Sequence, residues 1–233
     1  MTEENLLYGL VQSFYDAAAG QSDFGLLAPQ VAHAFNASSC AIQIRGGFAS
    51  AAEIASATAN YTPELVQQYQ EYYYKVDVWA NVAMRWPQEA ILGSEDMISD
   101  EEYERTELYN DYSRYAGIFY VLGAVTKIGG PGGALGAFGI HRSRREGLFS
   151  PEEKQRAAIL LPHLNRALQL RERLGRMDIS QQTMMQALEM AGVAILLSAN
   201  DGRLAVWDRG AVRGNFCTRA GDGISGLAAW ADP

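Results

Sequence analysis

The 233-residue sequence predicts an α+β fold: an antiparallel sheet flanked by helices, with a long C-terminal helix leading into a second, incomplete α/β unit. Three observations carry this. Segments with helical spacing of apolar residues lie before and after a group of strand-like segments, not in regular alternation with them. The strands come in pairs joined by short glycine-rich stretches, as hairpins are. Finally, Ser150-Pro-Glu-Glu153 opens the longest helix of the chain with Ser at N-cap, Pro at N1 and Glu at N3.

The elements follow in order. Leu6, Leu7, Leu10, Val11, Phe14 and Ala18 recur at three- and four-residue steps, so 3–19 reads as an amphipathic helix ended by Gly20. A second helix spans about 23–35. Cys40–Ile44 and 52–59 read as paired strands around a Gly46-Gly47 turn. Thr62-Pro63 starts a helix, and Asp77 separates it from another over Val78–Trp86. Ser99 and Glu102 form a capping box opening a helix over about 100–115. Strands 118–128 and 134–142 flank Gly129–Gly133. The long helix runs through Leu160, Leu164, Leu168 and Leu174, with an expected kink at Pro162. After Gly175 the sequence predicts a separate helix over Gln182–Met190, a strand over Val193–Leu197, a turn at Asn200-Asp-Gly202 and a strand over 203–207. Asp208–Pro233 has no clear period. Helices around a hairpin-built sheet describe a GAF/PAS-like sandwich over 1–176, with 177–233 as an incomplete second PAS-like unit or tail.

Composition narrows the function. With 48% hydrophobic and 20% charged residues, the chain can bury a substantial core, which excludes intrinsic disorder as its main state. No apolar run is long enough to span a bilayer, so no membrane partner is expected. The acidic start, Met1-Thr-Glu-Glu-Asn5, is unlike a signal peptide, and two distant cysteines form no disulfide framework; both point to the cytoplasm. The net charge is −8, which argues against nucleic-acid binding by this chain alone. The charge is uneven: 1–140 hold 6 basic and 17 acidic side chains, and 141–233 hold 13 and 10. The shift begins at His141-Arg-Ser-Arg-Arg145, read as the start of a solvated basic face.

Catalytic motifs are missing. Gly129–Gly133 lacks the Lys of a phosphate loop and precedes a strand, so it reads as a hairpin turn. His33, His141 and His163 have no metal-ligand spacing, and Gly223-Ile-Ser225-Gly226 is not a nucleophile elbow. A non-enzymatic protein without metal or cofactor is the expectation.

The aromatic residues are informative. Ten of twelve tyrosines lie between Tyr61 and Tyr120. On a regular helix after Pro63, the residues Leu65, Tyr69, Tyr72, Tyr73 and Val76 share one face. That stripe is either plain core or the wall of an apolar pocket with a few hydroxyl groups. Asp77 is an N-cap, a polar anchor at the pocket rim, or both.

Several of these segments taken together resemble a known family: Tyr69-x-x-Tyr72-Tyr73-x-x-x-Asp77-x-Trp79, Glu107-Leu-Tyr109-Asn110-Asp111-Tyr112 with Gly117 and Gly123, Phe149-Ser-Pro-Glu-Glu, and Leu160-Leu-Pro162-His163-Leu-x-Arg166. In order and spacing they resemble the sensor region of LuxR-type helix-turn-helix transcriptional regulators, over about residues 1–207. The resemblance implies a cytoplasmic regulator whose sensor controls a C-terminal DNA-binding domain. The pattern of that domain is not found after Gly202. The family's Asp-Pro step is Asp77-Val78 here, and the upstream Trp/Tyr spacing of acyl-homoserine-lactone receptors is not reproduced, so no lactone is implied.

The resulting expectation is a dimerising sensor region that binds a small molecule of unknown identity through Tyr69, Tyr73, Asp77, Trp79, Tyr109 and Tyr120. The alternative is a ligand-free interaction module that dimerises or sequesters partners. A homodimer is expected through Leu160, Leu164, Arg171 and Leu174, whose spacing with Ala157 and Ala167 is that of a helix seam; the same stripe could instead pack inside one protomer.

Overall fold

A computed structural model describes residues 3–45, 52–87, 90–128, 134–190, 196–198 and 204–207. The expected Gly46-Gly47, Gly129–Gly133 and 200–202 turns, the start of the strand at 193, and 208–233 lie outside the described residues. The chain divides into two units, Met1–Leu174 and Gly175–Pro233.

The first unit is α+β. Its helices begin with α1 (Glu3–Ala18), which ends as the Gln21 N–H reaches back to the Asp16 carbonyl (2.8 Å). Asp23 caps a 3-10 turn (Phe24–Leu26) that leads into α2 (Leu27–Ala34). The strands are β1 (Ser39–Arg45), β2 (Ala52–Ala57), β3 (Leu92–Gly93), β4 (Tyr120–Ile128) and β5 (Ala134–Arg142). They form one five-stranded sheet in the order β2-β1-β5-β4-β3, with every neighbour antiparallel.

Strand alternation gives this sheet two chemically different faces. Cys40, Ile42 and Ile44 of β1, Leu122 and Ile128 of β4, and Phe138 and Ile140 of β5 share one core with Phe14, Leu27 and Val31 of the first helices. Leu160, Leu164 and Leu168 of the long helix complete that core. The opposite face presents Ala41, Gln43 and Arg45, then Val121, Gly123 and Val125, then Ala137, Gly139 and His141. A second, aromatic layer covers it, with Tyr69, Trp79, Tyr103, Tyr112 and Phe119 buried.

The aromatic layer is built from short pieces. Thr62 caps α3 (Pro63–Gln68), which widens into a π-helical turn over Tyr69–Tyr73 before α4 (Tyr74–Val76). Asp77 then caps α5 (Val78–Ala83). This corrects the expected regular helix. The wide turn shifts the phase of the stripe, so Tyr69 is buried while Tyr72 is 46% exposed.

The helix expected over 100–115 is likewise interrupted. Ser99 and Glu102 form their capping box and open α6 (Asp100–Glu104). Thr106 then donates its hydroxyl to the Tyr103 carbonyl (2.7 Å) and accepts from the Tyr109 N–H (3.1 Å), so a side chain competes with the helical ladder. A second π-helical turn, Tyr109–Ser113, follows.

Ser150 and Glu153 cap α7 (Pro151–Met190) reciprocally, as expected. The helix runs through Pro162 and Gly175, so Gln182–Met190 is its continuation and not a separate helix. One glycine in a helix of this length costs only about 1 kcal/mol. The second unit contains the last part of α7 and an antiparallel pair, β6 (Leu196–Ser198) and β7 (Leu204–Trp207).

Two further expectations are corrected. Leu160 and Leu164 are 2% and 1% exposed in the core of their own protomer, so they are not a free seam. Arg171 bonds Glu53 of β2 at 3.1 Å and stands over the Phe24 ring, leaving Leu174 as the one exposed member of that set. The basic run at 141–145 is not a uniformly solvated face either: His141 and Arg142 are both 7% exposed.

Candidate ligand site between the sheet and the aromatic layer

Asp77 is the centre of this region. Its extended backbone lets Oδ1 accept the Ala80 N–H (3.0 Å), the cap that the sequence predicts. Its other oxygen, Oδ2, accepts the Tyr69 hydroxyl at 2.5 Å and the Arg45 guanidinium at 3.1 Å. Cap and anchor are thus the same carboxylate. Arg45 projects from the end of β1 and also donates to Gln43 Oε1 from Nε (3.3 Å) and Nη2 (3.1 Å). The same Nη2 reaches the Tyr69 hydroxyl, and the side chain is 11% exposed. Burial and the Asp77 charge together push the Tyr69 phenol well above its ordinary range.

His141 lies on the neighbouring strand, its Nδ1 3.3 Å from the Tyr61 hydroxyl. Burial lowers its pKa to about 4, against a smaller opposing pull from Asp77, so the ring is neutral at pH 7. Trp79 stacks on Tyr103 with ring centroids 4.4 Å apart, and its other neighbour is the His141 ring at 6.4 Å. Beneath them, Gly123 and Gly139 face each other in register across β4 and β5. A Cβ on Gly139 would stand 2.7 Å from His141 Nε2, so only glycine lets the imidazole lie down on the sheet.

A cavity of ≈ 50 Å³ remains here, bordered by Arg45, Asp77, Trp79, Gly123, Gly139 and His141 among others. Among the described residues, the Trp79 Nε1 and the Tyr112 hydroxyl are buried without a hydrogen-bond partner. Unmet polar atoms in an aromatic wall are the kind of group that a bound polar molecule would satisfy.

The structure brings Tyr69, Asp77 and Trp79 together and separates the other expected site residues from them. Tyr73 packs its ring on Tyr112 (4.9 Å) with its hydroxyl 3.4 Å from the Asp111 carbonyl, at the outer side of the layer. Tyr109 and Tyr120 pack on Phe119, and the Tyr120 hydroxyl donates to Asp100. Gln43, Arg45 and His141 are site residues that sequence reading passes over. Alternation along β1 and β5 was the available signal, since it sets all three opposite the Ile42 and Ile140 side of the sheet.

Among the described residues no three or more His, Cys, Asp or Glu side chains converge as metal ligands, and no helix is long and apolar enough to cross a membrane.

With this geometry, the chain is similar to the ligand-binding domain of VqsR from Pseudomonas aeruginosa: TM-score 0.53 at 18% identity, covering 70% of this chain and 94% of that one. The fold is that of LuxR-type ligand-binding domains. The N-acylhomoserine-lactone-dependent LuxR-family transcription factor CepR2 from Burkholderia cenocepacia is also similar, with TM-score 0.48, 16% identity and coverage of 71% and 98%. No protein-family model and no curated protein matches the sequence. In this LuxR-type fold the two-faced sheet sets the aromatic layer, and therefore Asp77 and Trp79, over the glycine pair.

Proposed function

We propose that this protein is the sensory, dimerising region of a LuxR-type transcription regulator, non-enzymatic and cytoplasmic, holding a small molecule between the sheet and the aromatic layer. One observation carries the reading: in a LuxR-type fold, the buried and unpartnered Trp79 Nε1 borders a cavity floored by Gly123 and Gly139. Asp77, Tyr69 and Trp79 line the site, and Tyr73, Tyr109 and Tyr120 support the surrounding wall. Dimerisation is assigned to the outward side of α7, where Ile159 (53%) and Leu174 (37%) are exposed. The DNA-binding function belongs to the parent regulator.

The test is a library of neutral small molecules screened by thermal shift and tryptophan emission. A ligand should raise the melting temperature by mass action and quench Trp79, and Trp79→Phe should weaken it. A ligand that raises the melting temperature equally in Trp79→Phe binds elsewhere.

A second reading, the ligand-free interaction module, is favoured by the size of the cavity. At ≈ 50 Å³ it is well below the roughly 300 Å³ at which small-molecule pockets begin. It predicts no hit in the screen and tight self-association or association with a full-length regulator.

A further inference from the structure

We propose that Asp77, Tyr69 and Gln43 form a guanidinium-recognition site, that the protein's own Arg45 is its occupant in this structure, and that the external ligand it fits is a small alkylguanidinium. The proposal rests on reading the region between the sheet and the aromatic layer as the ligand site.

The acceptors are arranged for a planar fork and not for a point charge. The Gln43 amide oxygen meets both Nε and Nη2 along one edge of Arg45, and Asp77 Oδ2 and the Tyr69 hydroxyl meet Nη2 from other directions. The Tyr74 carbonyl lies 3.5 Å from Nη1. An ammonium group has three donors on one nitrogen and cannot span such an array, whereas a guanidinium offers five donors in a plane. The Tyr69 ring adds a π face 5.8 Å from the guanidinium carbon.

These recognition groups are built into the fold. Tyr69 is 4% and Asp77 7% exposed, and Asp77 is fixed further by capping α5. Tyr69 comes from a π-helical turn, Asp77 from the break between two helices and Gln43 from a central strand, so the fold rather than one local segment creates the array. By contrast, Arg45 enters on a flexible side chain from the last position of β1. The cavity beside it borders Arg45, Asp77 and Trp79, which leaves space for the alkyl group of a ligand that takes over the guanidinium position. Such a ligand would release Arg45 and thereby one link between the sheet and the aromatic layer.

The probe is ethylguanidinium chloride at low millimolar concentration, with equal NaCl as reference, on Arg45→Ala. The variant should melt below wild type and show a saturable rise, about 3 °C at tenfold excess over the dissociation constant. Wild type should respond only at higher concentration, because Arg45 competes. Arg45→Ala combined with Asp77→Asn should not respond. If Arg45→Ala does not fold alone, recovery of soluble protein on refolding with ethylguanidinium is the readout. Absence of a saturable effect in both readouts, an equal effect in the double variant, or an equal effect of ethylammonium overturns the proposal. A neutral ligand that quenches Trp79 while ethylguanidinium does nothing would overturn it and leave the broader sensor reading standing.

Discussion

Arg142 grips Glu153 with both arms of its guanidinium, Nη2 to Oε1 at 2.7 Å and Nη1 to Oε2 at 3.1 Å, and so ties the last residue of β5 to the first turn of α7. The same Arg142 donates to the Phe35 carbonyl after α2 and to the Leu148 carbonyl, and stands over the Phe149 ring. Three segments of the helical layer therefore meet on one side chain.

Replacing Arg142 by Ala leaves a buried carboxylate and two carbonyls without their donor. The expected loss is about 3–5 kcal/mol in urea unfolding. Arg144 pairs with Glu104 on the surface, with side chains 58% and 37% exposed, and Arg144→Ala should change stability by less than about 1 kcal/mol. Equal losses in the two variants would contradict this account.

The glycine pair predicts a graded response. A Cβ on Gly123 would overlap the backbone carbonyl oxygen of Phe138, whereas one on Gly139 would meet the His141 ring, which can rotate. Gly123→Ala should therefore be the more damaging, with Gly139→Ala costing roughly 1–3 kcal/mol. Comparison of their denaturation midpoints decides the order.

Acid should weaken the fold through His141. Its pKa is about 4 when folded and about 6.5 when unfolded, so between these values the unfolded chain binds more protons and stability falls as pH falls. The full effect is about 3 kcal/mol, reached near pH 4. Glu153 adds to it at lower pH. Burial disfavours its charge, but Arg142 and the Ser150 N–H outweigh this and hold its carboxyl below the usual range, so that contribution is lost as pH drops through the folded pKa. Urea titrations of wild type and His141→Gln from pH 7 to 4.5 should show a shallower slope in the variant.

The long helix offers a test that separates packing from pairing. Leu164→Ala opens a hole in the core and should cost about 2–5 kcal/mol. Leu174→Glu, at an exposed position, should leave the circular dichroism and stability of the protein unchanged. If α7 pairs two protomers by its outward side, Leu174→Glu should also lower the sedimentation coefficient to that of a monomer.

With its net charge of −8, this chain alone should show no sequence-specific duplex binding at physiological salt. A gel shift that is sequence-dependent and resists salt would refute this.

What could be read from the sequence was what is decided locally. The caps at Thr62, Asp77, Ser99 and Ser150 each depend on partners within three residues, and all four form. The hairpin strands were legible from their alternation. The two π-helical turns were not, because an apolar stripe at helical spacing does not report where one extra residue widens the turn. The Arg45–Asp77 and Tyr61–His141 contacts join residues 32 and 80 positions apart, so no local pattern encodes them. Leu160 and Leu164 show the remaining ambiguity: an apolar stripe records that a face is covered, but not by which molecule.

The π-helical turns at Tyr69–Tyr73 and Tyr109–Ser113 meet, with Tyr112 packed on both Tyr69 (5.6 Å) and Tyr73 (4.9 Å). Each such turn has one residue more than the α-helical turn it replaces, and that extra residue works as a register key. Deleting Gln70 alone would let the first turn tighten and would rotate everything after it by about 100°. Asp77 would then point away from Arg45 although no residue that contacts either had been replaced. In this fold the composition of the inter-layer site can therefore be edited by substitution, but its alignment is set by chain length, and a gain or loss of one residue near Gln70 would recast the site in a single step.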